Sequence, residues 1–380
     1  MLYTNKIRIL RQVLSLGILF CLGIIYANGQ VNLQKDSTTK KGKQRKLFAF
    51  PAVTYSPETT LAFGGAGNYY FKLSRDSTVR TSYVQALGLY TLRNQVVVAF
   101  ESSVYFPGEK YILKTHGSFS HFPDKFWGLG NNSVDEALEP YTITQFYFFP
   151  QLLRKVYKNF FAGISYEIQN VFQFEYGEGK LPGTSIFDQQ DVQGRYGSIV
   201  SGLGIVAQWD GRDNSFSPSK GFYFSYTFND FNAKFGSTHE YVNHFIDIRK
   251  YFAVGKTQVL AFQSILNFNN GIVPIRSLAS IGSSSMLRGY YDGRYTDNNL
   301  FGVQAEYRFP LKGRFGMVLF GAIGKVGNEA AEVFNFKQLK PAAGTGVRYA
   351  IDKKEKLNLR LDLAFGERSS GVYFNIIEAF

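Results

Sequence analysis

The sequence predicts an all-β protein, a transmembrane antiparallel β-barrel of 16 strands. Three observations carry this expectation. Segment after segment alternates apolar and polar residues with a period of two. The connections between segments sort into a short and a long class. The chain also holds 37 Phe, 25 Tyr and 2 Trp, the residue types that girdle a barrel at both membrane interfaces.

At the N-terminus, Lys6, Arg8 and Arg11 form a positive region and Val13 to Tyr26 an apolar stretch. Ala27-Asn28-Gly29 then supplies a small-residue cleavage site, so residues 1–29 read as a secretory signal peptide. The apolar stretch is shorter than the roughly 20 residues a spanning helix needs. Cys21, the one cysteine, lies inside it behind Phe20, so the mature chain is expected to lack disulfides, thiol catalysis and zinc-thiolate sites. Residues 30–46 read as a basic periplasmic tail, with Lys40, Lys41, Lys43, Arg45 and Lys46 among Ser, Thr and Gly. The formal charge is +13, and removing Lys6, Arg8 and Arg11 leaves +10. Such a charge raises nucleic acid as a partner for a soluble chain. Here the cations are spread along turns and polar faces with no stacking platform beside them, which argues against it.

The barrel is expected over 47–380, where no linker interrupts the alternation; that disfavours a soluble sandwich. Its strands are read at 47–55, 59–73, 80–93, 94–106, 110–121, 141–154, 159–175, 193–209, 221–234, 240–252, 256–270, 299–309, 314–326, 341–351, 356–366 and 371–380. One alternative joins the first two into a single strand broken at Pro57. Gln304, Glu306 and Arg308 share one face of their strand, and Asn358, Arg360 and Asp362 one face of theirs. A charge facing lipid at mid-depth costs about 2–4 kcal/mol, so these faces should point inward. Connections after even-numbered strands include the short turns 107–109, 254–255, 310–313 and 352–355. Those after odd-numbered strands include 122–140, 176–192, 271–298 and 327–340. Short periplasmic turns and long outer loops are the asymmetry a barrel requires.

Loop 271–298 carries Leu287-Arg288-Gly289-Tyr290. It reads either as a Gly/Tyr-rich surface loop or as a segment folded into the lumen, where Arg288 meets a carboxylate. The motif resembles that of loop six in the BamA/TamA superfamily of outer-membrane barrels (bacterial surface antigen type), and it falls between the eleventh and twelfth strands as in that family. Residues Asp210, Arg212, Asp213, Pro218 and Gly221 resemble the family's periplasmic Asp-x-Arg-Asp turn with its closing Pro-x-x-Gly. Glu306 matches the acid that holds the loop arginine. The ending Tyr373 to Phe380 resembles a C-terminal recognition strand with Phe374, Ile376 and Phe380 on one face. The resemblance implies that this strand is read by the barrel-assembly machinery during biogenesis.

The chain departs from the family twice. About 17 residues separate Gln30 from the first strand, fewer than the ~50 a domain needs. The resemblance is therefore to a short member lacking POTRA domains, which implies a periplasmic recruiting protein. Ala322 stands where insertases carry a second acid for the arginine, and Asp362, two strands on, is the candidate substitute. An enzyme is not expected: His116, His121, His239 and His244 show no Ser-His-acid arrangement, and no His/Asp/Glu spacing suggests a metal. No cofactor is expected. The resemblance implies a protein set in outer-membrane lipid that takes part in insertion, assembly or translocation of proteins or lipids. The alternative is a passive channel or structural barrel.

Overall fold

A computed structural model of the chain describes residues 45–56, 59–76, 78–177 and 183–380. The expected signal peptide and most of the basic tail lie outside these residues, while Arg45 and Lys46 belong to the first strand rather than to the tail.

The strands are β1 (Arg45–Ser56), β2 (Thr60–Phe71), β3 (Ser82–Thr91), β4 (Val96–Tyr105), β5 (Tyr111–Phe126), β6 (Glu139–Tyr157), β7 (Phe160–Tyr176), β8 (Ser198–Asp210) and β9 (Gly221–Phe231). They continue as β10 (Tyr241–Val254), β11 (Gln258–Gly271), β12 (Ala279–Ile281), β13 (Tyr295–Asp297), β14 (Asn299–Pro310), β15 (Phe315–Gly327), β16 (Lys340–Asp352), β17 (Leu357–Gly366) and β18 (Ser369–Ile376). Sixteen of them form one antiparallel sheet in chain order, and β12 and β13 make a small hairpin inside the connection from β11 to β14. β1 and β2 pair with each other from Arg45–Phe71 to Ser56–Thr60, so the two segments are separate strands; Pro57 itself lies outside the described residues. β1 and β18 approach within 8 Å by their Cα atoms, yet no ladder joins them among the described residues. A closed barrel would pair its first and last strands; among the described residues that ladder is not formed.

The two faces of the sheet invert the soluble pattern. Val98, Phe119, Ile164, Ile205, Leu319 and Phe365 are exposed on one face. Gln263, Gln304, Glu306, Arg348 and Asp362 are buried on the other. Side chains alternate across a strand, so one period-two pattern supplies both a lipid face and a polar interior.

Several boundaries differ from those the sequence predicts. β5 and β6 run past the expected 121 and start before the expected 141, because Phe126, Tyr141 and Ile143 pack with Phe187 and Ile275 from neighbouring loops. β8 starts at Ser198 rather than 193, after a turn in which Gly197 N donates to Gly194 O at 3.0 Å. β18 stops at Ile376, where the positive φ of Ile377 (75°) turns the chain out of the ladder.

Both ends of the sheet carry crossing segments. At the end bearing the long loops, Gly130 N donates to Thr296 O (2.8 Å) and Asn131 Nδ2 to Gln338 O (2.8 Å). Arg294 there reaches Ser133 and Asp135. At the other end, the turn between β8 and β9 sets Phe216 edge-on to Tyr70 and Tyr83, with centroids 5.5 and 5.6 Å away. Glu378, past the end of β18, donates its N–H to Phe216 O.

Candidate functional site

The connection from β11 to β14 folds against the polar face of β14 to β18, and each residue of its motif has a separate steric or electrostatic role. Leu287, fully buried at φ 52°, enters an apolar cluster with Met286, Leu300, Ala322 and Val326. It fits over Gly324, where any Cβ would collide with its side chain. Gly289 has φ 112°, and a Cβ there would stand 2.7 Å from Gly366 N, so only glycine permits the approach. Tyr290 lies over Gly366; its hydroxyl donates to Pro341 O (2.7 Å) and accepts from Glu367 N (3.0 Å). Gly289 N donates to Tyr373 Oη at 2.9 Å, fastening the loop to β18.

Arg288 sits between these anchors with its side chain shut off from solvent. Nη2 donates to Glu306 Oε1 at 2.8 Å and Nη1 to Asp362 Oδ2 at 2.5 Å. The two acids come from β14 and β17, and both are fully buried. The ring of Phe320 lies under the guanidinium, 3.5 Å from its carbon to the centroid. Ala322, at the place the resemblance gives to a second acid, is part of the apolar cluster under Leu287; the space beneath the arginine belongs to an aromatic face two residues earlier. Such a face attracts a desolvated cation.

The cluster extends beyond the residues that the motif marks. Arg308 Nε donates to Glu306 Oε2 (3.0 Å), and Arg348 Nη1 to Asp362 Oδ1 (2.5 Å). Arg348 Nε also donates to Glu378 Oε2 at 2.7 Å. Arg360 Nη2 holds Ser284 O of the loop at 2.7 Å, while its Nε lies 3.6 Å from Asp362. Four guanidiniums thus face three carboxylates, and Glu306 and Asp362 each serve more than one cation. Alternation marks Arg308, Arg348 and Arg360 as inward-facing; it does not give their cross-strand partners.

The tail after β18 corrects one expectation. The sequence predicts a final strand over 371–380 with Phe380 on the face of Phe374 and Ile376. Those two stay in β18, but Phe380 is buried outside it, against Tyr251 and Ala261. Its ring lies 5.2 Å from the Arg308 guanidinium, and its carbonyl accepts from Arg308 Nη2 at 3.0 Å.

The turn between β8 and β9 is a second constellation. Asp210 accepts from Arg212 Nε (2.8 Å) and Nη2 (3.0 Å), and also pairs with Arg80. Arg80 in turn grips Glu109 through Nε and Nη2. Asp213 Oδ1 accepts the Ser219 and Lys220 N–H groups at 2.8 and 3.1 Å, and Oδ2 the Lys356 ammonium at 3.1 Å. Burial works against ionisation of Asp213, but those two N–H groups and Lys356 prevail and hold its carboxyl below the usual range. Pro218 is buried, and Gly221 opens β9.

His116 lies edge-on to Tyr147, His121 meets Thr144, His239 meets Thr238 and His244 meets Tyr226. Among the described residues no group of three or more His, Cys, Asp or Glu is placed to hold a metal ion.

An antiparallel sheet with a lipid-type outer face and a loop arginine held on its polar face defines a membrane barrel with a docked loop. Residues 63–380 match the Omp85 superfamily domain, and the chain belongs to that superfamily. It is accordingly a β-barrel of the bacterial outer membrane. No curated protein matches the sequence. Its fold is similar to that of BamA from Haemophilus ducreyi lacking POTRA domains 1-3, at 13% identity and a TM-score of 0.55, covering 89% of this chain and 70% of that one. It is also similar to CdiB from Escherichia coli (10% identity, TM-score 0.56, 90% and 63% covered). CdiB from Acinetobacter baumannii gives 10%, 0.54, 88% and 65%. The chain therefore spans just under two thirds of the length of both CdiB chains.

Proposed function

We propose that this barrel assists the insertion, assembly or translocation of protein at the outer membrane. The observation that carries the reading is the pair of neighbouring edges, β1 and β18, with no ladder between them among the described residues. In lipid an unpaired strand edge is costly, so adjacent bare edges favour admitting a further strand. The Arg288 cluster braces β14 to β18 beside that seam, so one wall is held while the edge is left free. A passive channel is the weaker reading, because segments cross both ends of the sheet. The reading is tested by depleting the protein and quantifying the outer-membrane proteome. Selective loss of particular barrels or exported proteins is expected; an unchanged proteome would refute it. Planar-bilayer recordings address the alternative: large conductance from the intact protein would favour the channel.

A further inference from the structure

The polar face holds a second assembly that the arginine cluster does not use. Strands β5, β6, β7, β9, β10 and β11, with Arg276 and Ser277 of the β11–β14 connection, line a cavity of about 480 Å3. A second cavity of about 400 Å3 adjoins it, sharing Ser118, Gln145 and Arg276. Each has the size of a small-molecule site.

The chemistry of the lining differs from the rest of the interior. Around the arginine cluster, charge meets charge. Here the polar groups are chiefly primary amides: Gln145, Gln169, Asn229, Asn243, Asn267 and Asn269. The amides hold one another in place. Asn243 Nδ2 donates to Asn267 Oδ1 (2.6 Å) and Asn269 Oδ1 (2.7 Å), and Asn269 Nδ2 donates to Asn298 O (2.8 Å). Asn229 Nδ2 donates to Glu167 Oε2 at 2.9 Å, and Tyr147 Oη to Glu167 Oε1 at 3.2 Å. No described residue accepts from Gln145 Nε2 or Asn267 Nδ2, so both donors remain for a ligand. Among the described residues two charged side chains reach the cavity. Glu167 has neutral partners alone, and Arg276 is engaged by Asp124 (3.3 Å) and Tyr141 (3.4 Å). Tyr147, Tyr241 and Phe245 add aromatic surface.

We propose that this cavity binds a neutral saccharide. Each sugar hydroxyl both donates and accepts, which matches an amide array offering N–H and C=O side by side. The aromatic rings suit the C–H-rich faces of a pyranose. Glu167 accepts from hydroxyls, and Asp124 offsets the charge of Arg276, so the lining offers no net positive charge to a ligand carboxylate or phosphate.

The test uses the folded barrel in an amine-oxide detergent, since sugar-headed detergents would compete. Maltotriose, cellotriose and triacetylchitotriose are titrated by calorimetry and by saturation-transfer NMR, with trigalacturonate as the acidic comparison. At least one neutral trisaccharide should bind at a single site, and trigalacturonate should not. Gln145→Ala, which removes a donor that no other described residue uses, should weaken binding about tenfold, the worth of one lost hydrogen bond. Asn243→Ala should weaken it further, with folding of both variants checked by heat-modifiable gel mobility. No binding of any neutral probe up to roughly 10 mM would overturn the proposal. So would equal binding of trigalacturonate, or undiminished binding by folded Gln145→Ala.

Discussion

Replacing Arg288 with alanine isolates the electrostatic part of the docked loop. The substitution removes two charge-assisted hydrogen bonds, at 2.8 Å to Glu306 and 2.5 Å to Asp362, and a contact with the Phe320 ring. Removing one partner from a buried pair costs ~3–5 kcal/mol when the other is left uncompensated. Neither acid is abandoned here, because Glu306 keeps Arg308 at 3.0 Å and Asp362 keeps Arg348 at 2.5 Å. With Arg288 gone, three guanidiniums face three carboxylates. The expected loss therefore lies at the low end, about 3 kcal/mol. Glu306→Ala should cost more, since it strips an acid from Arg288 and Arg308 together. The double variant should then be less damaged than the sum of the single ones by about 1–2 kcal/mol, as contacting residues are. Urea unfolding in detergent, followed by tryptophan emission and by the heat-modifiable gel band, reads these differences. An Arg288→Ala protein within about 0.5 kcal/mol of the parent would refute the reasoning. Strict additivity of the two changes would do the same.

Gly289→Ala should undock the loop through backbone clash with Gly366 rather than through charge, at a cost of about 2 kcal/mol or more; limited proteolysis should then cut the loop, and unchanged resistance would contradict this. Deleting residues 377–380 removes the Glu378–Arg348 pair and the Arg308–Phe380 bond. It should lower the unfolding midpoint and raise bilayer conductance, and a variant matching the parent in both would show that the tail seals nothing. The folded-state pKa of Asp213 lies below the unfolded one, so its contribution is complete above the ordinary aspartate range and lost as pH falls through the folded value. Asp213→Asn should flatten that acid limb in hydrogen exchange at Ser219 and Lys220; an identical limb would exclude the carboxylate as its source.

Much of this architecture is legible in the residues because a barrel strand obeys one rule, that lipid and interior alternate. That rule alone puts Glu306, Asp362, Arg308 and Arg348 on one side. It does not give cross-strand neighbours, which depend on register: Gly346 pairs with Asp362, and this brings Arg348 to that acid. The tail was illegible for a different reason. Apolar and polar residues go on interleaving past Ile376, and only the positive φ of Ile377 diverts Glu378 and Phe380 into the charge cluster. Phe216 was hidden in the same way, since a turn sequence carries no sign of the distant rings it will meet. The outer extensions of β5 and β6 stand on loop residues such as Phe187 and Ile275, beyond the reach of any local pattern.

The distances in sequence between Arg288 and its partners bear on the order of assembly. Glu306 follows it by 18 residues, but Asp362 comes 74 later, and Tyr373 is separated from Gly289 by 84. The β12–β13 hairpin is local and needs none of them, whereas docking has to wait until the last two strands of the sheet are in position. Until then the guanidinium is better left hydrated. Seating of the loop thus marks the moment at which the wall is finished, a completion signal written into the chain's own contact order.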